Sequence, residues 1–283
     1  MSKQPRRFAT NTLYDFSKID DLKPLARLTR RIQAAADGIP FVIAGAQARD
    51  LLLKHGHAID TGRQTADVDF AFRVSTWDKF LAFRDALIAA DFTAVRGKLH
   101  KLLCGKLEVD ILPFGEIESD EHTIAWPPDR DVVMSVFGFG EAFDSAIDAM
   151  LPEAVSAKVV SLPALTLLKI EAWRERRLRE PGKDAHDIRL ILRNYLQAGN
   201  DHRLYDEFSH LLEDPQFDYE AAGAYILGRD VKALLDEKGL AHVLEIMTAE
   251  SDADGALHLV GDMGIDPEKA LRLLDALREG LDG

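Results

Sequence analysis

The sequence predicts an α+β chain, in which residues 1–155 mix strands with helices and residues 156–283 are all helical. Three observations lead there. Up to Pro113, short apolar or alternating runs that read as strands are interleaved with runs at helical spacing. From Leu162 onward every periodic segment reads as helix. The breaks between those helices fall at Pro181-Gly182, Gly199-Asn200, Pro215 and Gly228, residue types that interrupt helices.

In chain order, residues 1–18 carry Pro5, Arg6, Arg7, Thr10 and Asn11 and read as a loosely held arm. Leu25, Leu28 and Ile32 set a helix from about Leu22 to Ala36, which Asp37-Gly38-Ile39-Pro40 ends. Phe41–Ala44 is a short apolar strand, and Ala46–Lys54 is a helix leaving a glycine turn at Gly45. The strand Thr65–Phe72 follows. Trp77–Ala90 is an amphipathic helix with Phe80, Leu81, Leu87 and Ile88 as expected core positions. Strands near Thr93–Val95 and Leu99–Leu103 lead to a strand at Leu107–Leu112. Beyond the Pro127-Pro128 turn a further strand is expected around Val132–Phe137, and residues 139–157 read as a connection.

Composition narrows the class. With 283 residues, 47% of them apolar and 29% charged, the chain has the make-up of a globular protein with a substantial core. No apolar run approaches the roughly 20 residues a membrane helix needs. Arg6-Arg7 has no apolar stretch behind it and is not a secretion signal. The lone Cys104 rules out an internal disulfide, suits a reducing cytoplasm, and reads as a small buried hydrophobe. A net charge of −13 argues against broad, unspecific nucleic-acid binding, while leaving room for a local basic groove.

The most informative chemistry lies on two of the strands. Side chains alternate along a strand, so Asp67 and Asp69 share one face while Val68, Phe70 and Phe72 take the other. Glu108 and Asp110 likewise oppose Leu107, Val109 and Ile111. The spacing between the two strands suits a hairpin. Aligned acid faces would bring Asp67, Asp69 and Asp110 together, and anions gathered in a shielded cleft repel one another unless cations join them. Hard oxygen ligands of this kind suit Mg2+ or Mn2+. Two such ions about 3.5–4 Å apart can stabilise the attacking and leaving oxygens of a phosphoryl-type displacement. The turn at Gly45-Ala46 offers backbone N–H groups to an anion. The other reading of Asp-x-Asp is a half-buried strand showing its polar face to water, although Asp is disfavoured in strands.

A second cluster lies in the helical half. On the helix Leu165–Arg177, Leu165, Leu168 and Ala172 form an apolar stripe, and Lys169, Trp173 and Arg176 share another face. Arg179 and Lys183 continue the basic run. This face is either solvated surface, paired with Glu171 and Glu175, or a basic wall turned toward the carboxylates. In Lys183-Asp184-Ala-His-Asp187-Ile188, Asp184 reads as an N-cap with Asp187 in the first helical turn. His186 is a surface residue or a proton carrier.

In this order and spacing, Gly45-Ala46, Asp67-Val-Asp69, Asp110, Lys169 through Arg176 and Lys183 through Ile188 resemble the nucleotidyltransferase superfamily. The resemblance is closest to its AbiEii-type branch, which includes toxins of toxin–antitoxin and phage-defence systems. It covers roughly residues 40–195. It implies a nucleotidyltransferase-fold domain with a mixed β-sheet, a helical C-terminal domain, and a site in the cleft between them. It further implies transfer of a nucleoside monophosphate from an NTP to an acceptor, an RNA end or a small molecule, by in-line attack at the α-phosphate. Asp67, Asp69 and Asp110 would hold Mg2+ or Mn2+, with Asp110 also serving acceptor activation. Gly45, Ala46, Arg49, Lys169 and Arg176 would bind the nucleotide, and Asp184 or Asp187 would position the acceptor or base. An antitoxin protein is the implied partner and the cytoplasm the implied location. Ala46 departs from the Ser frequent in the family, whose hydroxyl bonds a terminal phosphate; Arg49, one turn on, is the expected replacement. The same departure and the acidic charge motivate the alternative, a non-catalytic nucleotide-binding or interaction protein that keeps the fold.

Overall fold

In the computed structural model, which describes residues 13–62, 67–180, 182–251, 255 and 257–283, the short apolar runs of the first half lie side by side in one mixed sheet. Residues 1–12 of the expected arm, Thr65 and Ala66 of the acidic strand, and Pro181 of the expected break lie outside the described residues. The sheet strands are β1 (Tyr14–Asp15), β2 (Phe41–Ala44), β3 (Asp67–Arg73), β4 (Thr93–Ala94), β5 (Lys101–Cys104) and β6 (Leu107–Phe114). A separate pair, β7 (Thr123–Ala125) and β8 (Val133–Ser135), precedes the last two sheet strands, β9 (Ile147–Leu151) and β10 (Val155–Val159). Among the described residues the order is β1-β9-β10-β2-β3-β6-β5-β4.

Three expectations change here. β3 and β6 do not form a hairpin: they run parallel, Asp67 opposite Glu108 and Asp69 opposite Asp110. Parallel neighbours need a long crossover, and here it contains a helix, β4 and β5. Residues 139–157 are more than a connection, because β9 and β10 extend the sheet to β1. In β10, Val155, Ala157 and Val159 are buried while Ser156 and Lys158 are exposed, the alternation of a strand with one covered face. Last, Tyr14–Asp15 of the expected arm pairs with β9, and Phe16 behind it is buried.

The helices of the first half are α1 (Lys23–Ala36), α2 (Gly45–Arg49), α3 (Trp77–Ala89) and α4 (Phe139–Asp144), with α2 continuing as a π-helical turn over Asp50–His55. Thr76 caps α3, its hydroxyl accepting from the Lys79 N–H. Phe80 and Leu87 of α3 are buried as expected, but Ile88 is 37% exposed and Phe83 fills the core position, against Phe72.

The remaining helices are α5 (Leu162–Arg176), α6 (Lys183–Asn194), α7 (Arg203–Asp206), α8 (Tyr219–Leu234), α9 (Glu237–Ser251), α10 (His258–Asp262) and α11 (Pro267–Asp282). Gly228 does not break a helix; it lies inside α8. A Cβ there would sit 2.3 Å from the Leu277 carbonyl oxygen, and one at Gly280 would sit 2.1 Å from that of Tyr225. The two glycines let the α8 and α11 backbones touch, which outweighs glycine's poor helix propensity. Buried side chains from Phe16 to Leu281 form one connected core.

Candidate active site

The acidic strands converge as their alternation requires. One carboxylate oxygen from each of Asp67, Asp69 and Asp110 lies within 4.8 Å of the others. Behind them Val68, Phe70, Val109 and Ile111 are buried, so the core side of β3 and β6 fixes which way the acids point.

The glycine turn begins directly beside Asp69. Ala44 is opposite Asp69 in the β2–β3 pairing, and Gly45 follows with φ +62°. A Cβ at Gly45 would lie 1.8 Å from Asp69 Oδ2. Position 45 therefore needs glycine twice over, for its backbone conformation and for the room that Asp69 takes. Ala46 is half-buried on the next position of α2.

The charges are unbalanced around Asp69. Burial raises its carboxyl first, and the neighbouring Asp110 and Asp67 raise it further, up to about 6; Lys169 and Lys183 pull it down only in part. Asp110 is also raised, by burial, against the opposing pull of Lys101. Asp110 Oδ1 is buried with no hydrogen-bond donor among the described residues, although the Lys101 ammonium stands 3.2 Å from it as an ion pair. Crowded carboxylates, a raised acid and an undonated buried oxygen are what a divalent-cation site lacking its cation looks like, and the all-oxygen donor set fits Mg2+ or Mn2+.

Beside this face, α2, α5 and α6 share a buried ion network. Lys169 Nζ lies 3.0 Å from Asp184 Oδ1 and 2.6 Å from Asp187 Oδ2. Arg176 donates to both oxygens of Asp184, at 2.6 and 2.7 Å. Arg49 donates to Asp187, and through Nε and Nη2 to Asp50 Oδ1 at 2.9 and 2.7 Å. Burial alone would lower Lys169 and raise Asp184, but the partners win: Lys169 is raised by Asp187 and Asp184, and Asp184 is lowered by Arg176 and Lys169. All four stay charged at neutral pH.

Several expected placements are thereby altered. Lys169 is 6% exposed and belongs to no solvated face. Leu168 and Ala172 are only half-buried, because α5 is covered on several sides rather than along one stripe. Asp184 is not an N-cap: Gly182 occupies that position, and Asp184 turns to Lys169 and Arg176. Arg49 is 2% exposed and held by Asp187 and Asp50, not extended from the glycine turn. His186 is exposed and adjoins Gly264, away from the carboxylates.

Lys101 escaped the sequence reading, though a signal was present. Gly105-Lys106 makes a tight turn that pairs Cys104 with Leu107, and counting back from it sets Lys101 opposite Asp110.

Among solved structures the chain is similar to the antibiotic-resistance factor ANT(2'')-Ia, at 15% identity and a TM-score of 0.39, over 67% of this chain and 97% of that one. It is also similar to the Thermotoga maritima CCA-adding enzyme complexed with tRNA, at 14% identity and a TM-score of 0.25, over 94% of this chain and 82% of that one. No curated protein matches it in sequence. The sequence profile of the family described as nucleotidyl transferase AbiEii toxin, type IV TA system, matches residues 27–270, most of the chain. The chain that carries these converging aspartates belongs to the AbiEii nucleotidyl transferase family.

Proposed function

We propose that the protein is a metal-dependent nucleotidyltransferase that moves a nucleoside monophosphate from an NTP to an acceptor. The observation that carries this reading is the convergence of Asp67, Asp69 and Asp110 beneath a glycine whose missing side chain leaves Asp69 its space. Asp67 and Asp69 would hold Mg2+ or Mn2+, with Asp110 completing the set. The ion's contribution, when bound, is to neutralise phosphate oxygens as charge develops on them.

The chain's own groups supply position and charge. The Gly45-Ala46 turn lets the triphosphate approach Asp69 without a side chain between them. Lys169 and Lys183 set positive charge near Asp69, and Arg176 in turn feels the charge of Asp69. We assign Asp184 and Asp187 the task of orienting these cations. A carboxylate whose oxygens already accept from Lys169 and Arg176 is a poor proton acceptor. Asp110, raised and lacking a donor on Oδ1, is better suited to take the acceptor's proton. Arg49 acts by fixing Asp187 rather than by touching phosphate.

The family's description supports an antitoxin partner and a cytoplasmic setting, where NTPs are plentiful. Among the described residues no helix is long and apolar enough to cross a membrane. An RNA end is the acceptor we favour. Incubation with Mg2+, an NTP labelled at the α-phosphate, and either total cellular RNA or the protein alone tests this. Label on RNA supports the reading; label on the protein moves the acceptor to a protein hydroxyl. Absence of label from every acceptor, with a folded and metal-loaded sample, overturns it.

One observation favours the non-catalytic alternative: Lys169 and Arg49 are already neutralised by Asp184, Asp187 and Asp50, as in a purely structural network. Calorimetry with each NTP separates the two. A retained binding module takes up nucleotide without turnover, or takes up none.

A further inference from the structure

Asp110 stands between an anion and a cation. On one side β3 sets Asp69 opposite it, and on the other β5 sets Lys101 opposite it. The Lys101 ammonium lies 3.2 Å from Asp110 Oδ1 and 2.7 Å from Glu108 Oε2, and its side chain is 14% exposed. Glu108 and Asp110 lie two residues apart on one face of β6, so together they hold the ammonium against the outer edge of the acidic cluster. No comparable cation on a neighbouring strand is opposite Asp67 or Asp69: their partners in the sheet are Glu108, and Ala44 with Asp110.

Resting on the nucleotidyltransferase reading above, we infer that Lys101 is the resident counter-cation of Asp110 and takes the place of a second divalent ion, so that the site holds one divalent ion per chain. A second ion bridging Asp110 would have to share Oδ1 with a fixed ammonium, and the two positive charges would repel at close range. The balance of charge agrees. Three carboxylates facing one ammonium leave two net negative charges, which a single Mg2+ or Mn2+ cancels. Lys101 is thus a positioning residue: it holds Asp110 in place and charged while Asp67 and Asp69 are left for the metal.

The test is the number of Mn2+ ions bound per chain, read by electron paramagnetic resonance of free Mn2+ during a titration. It is done on the full-length protein alone and with an NTP analogue that cannot be cleaved at the α-phosphate. The wild type is expected to bind one ion in the micromolar to millimolar range, and Lys101→Met two. Two ions of similar affinity in the wild type overturn the inference, and so does one ion in both proteins. Should Lys101→Met fail to fold, Glu108→Gln frees the ammonium from its second partner and is expected to expose the second site; a single ion there also overturns the inference. No Mn2+ bound under either condition overturns the metal reading itself, an outcome distinct from a wrong stoichiometry.

Discussion

Asp69 carries the clearest consequence of the site's electrostatics. Its carboxyl is raised from 3.8 to about 6, so the folded protein binds that proton more tightly than the unfolded chain does. The favourable contribution is therefore complete below about pH 4 and is lost as the pH rises through about 6. Two pH units at roughly 1.4 kcal/mol each make the cost of ionising Asp69 about 3 kcal/mol at most, before solvent screening. In metal-free protein Asp69→Asn should flatten the melting temperature between pH 4 and 7, and match or exceed the wild type at pH 8. Added Mg2+ should raise the wild type and leave the variant unmoved. A sharp fall in the variant's melting temperature, with metal affinity unchanged, would make Asp69 a structural residue. Gly45→Ala acts on the same carboxylate from the other side. A φ of +62° costs alanine about 1–2 kcal/mol, and the new methyl must displace Asp69 Oδ2. The expected result is a melting temperature lower by several degrees together with lost Mg2+-dependent nucleotide binding. Unchanged binding would show that the turn does not shape the site.

Among the elements, the contact between α5 and α6 separates two magnitudes. An exposed N-cap aspartate contributes about 1 kcal/mol, whereas removing one member of a buried ion pair costs about 3–5 kcal/mol because its partners are left uncompensated. Asp184 is 1% exposed and holds both Lys169 and Arg176. Asp184→Ala should therefore lower the unfolding free energy in urea by the larger amount. A loss near 1 kcal/mol would mean that the network is loosely held in solution. This is also where the sequence was hardest to read. Helical spacing showed that Lys169 and Arg176 share a face and that Asp184 begins a new helix, but spacing within one helix cannot say which helix lies across from it. Gly228 failed for a related reason: glycine reads as a break when seen along the chain and as a close crossing when α11 is seen beside it. The acidic strands were legible because strand alternation is local and the core side is strongly apolar. Their parallel pairing was not, since direction depends on the route of the crossover between them. Lys101 was within reach through the Gly105 turn, where register follows from turn length.

For the molecule as a whole, a net charge of −13 and a site built to receive a polyanion are reconciled by local arrangement. Lys169, Lys183 and Arg176 surround Asp69, while much of the acidic excess lies elsewhere. The helical half is thus part of the site's electrostatics rather than an appendage, because α5 and α6 bring the cations that the carboxylate strands lack. The central claim is that these parts together move a nucleoside monophosphate. The most direct test compares one NTP labelled at the α-phosphate with the same NTP labelled at the γ-phosphate, under identical conditions with Mg2+. The account predicts that α-label passes to the acceptor, that γ-label leaves as pyrophosphate, and that both events cease without Mg2+ and in Asp69→Asn. Transfer of γ-label to the acceptor, or α-label transfer that survives in Asp69→Asn, would contradict it.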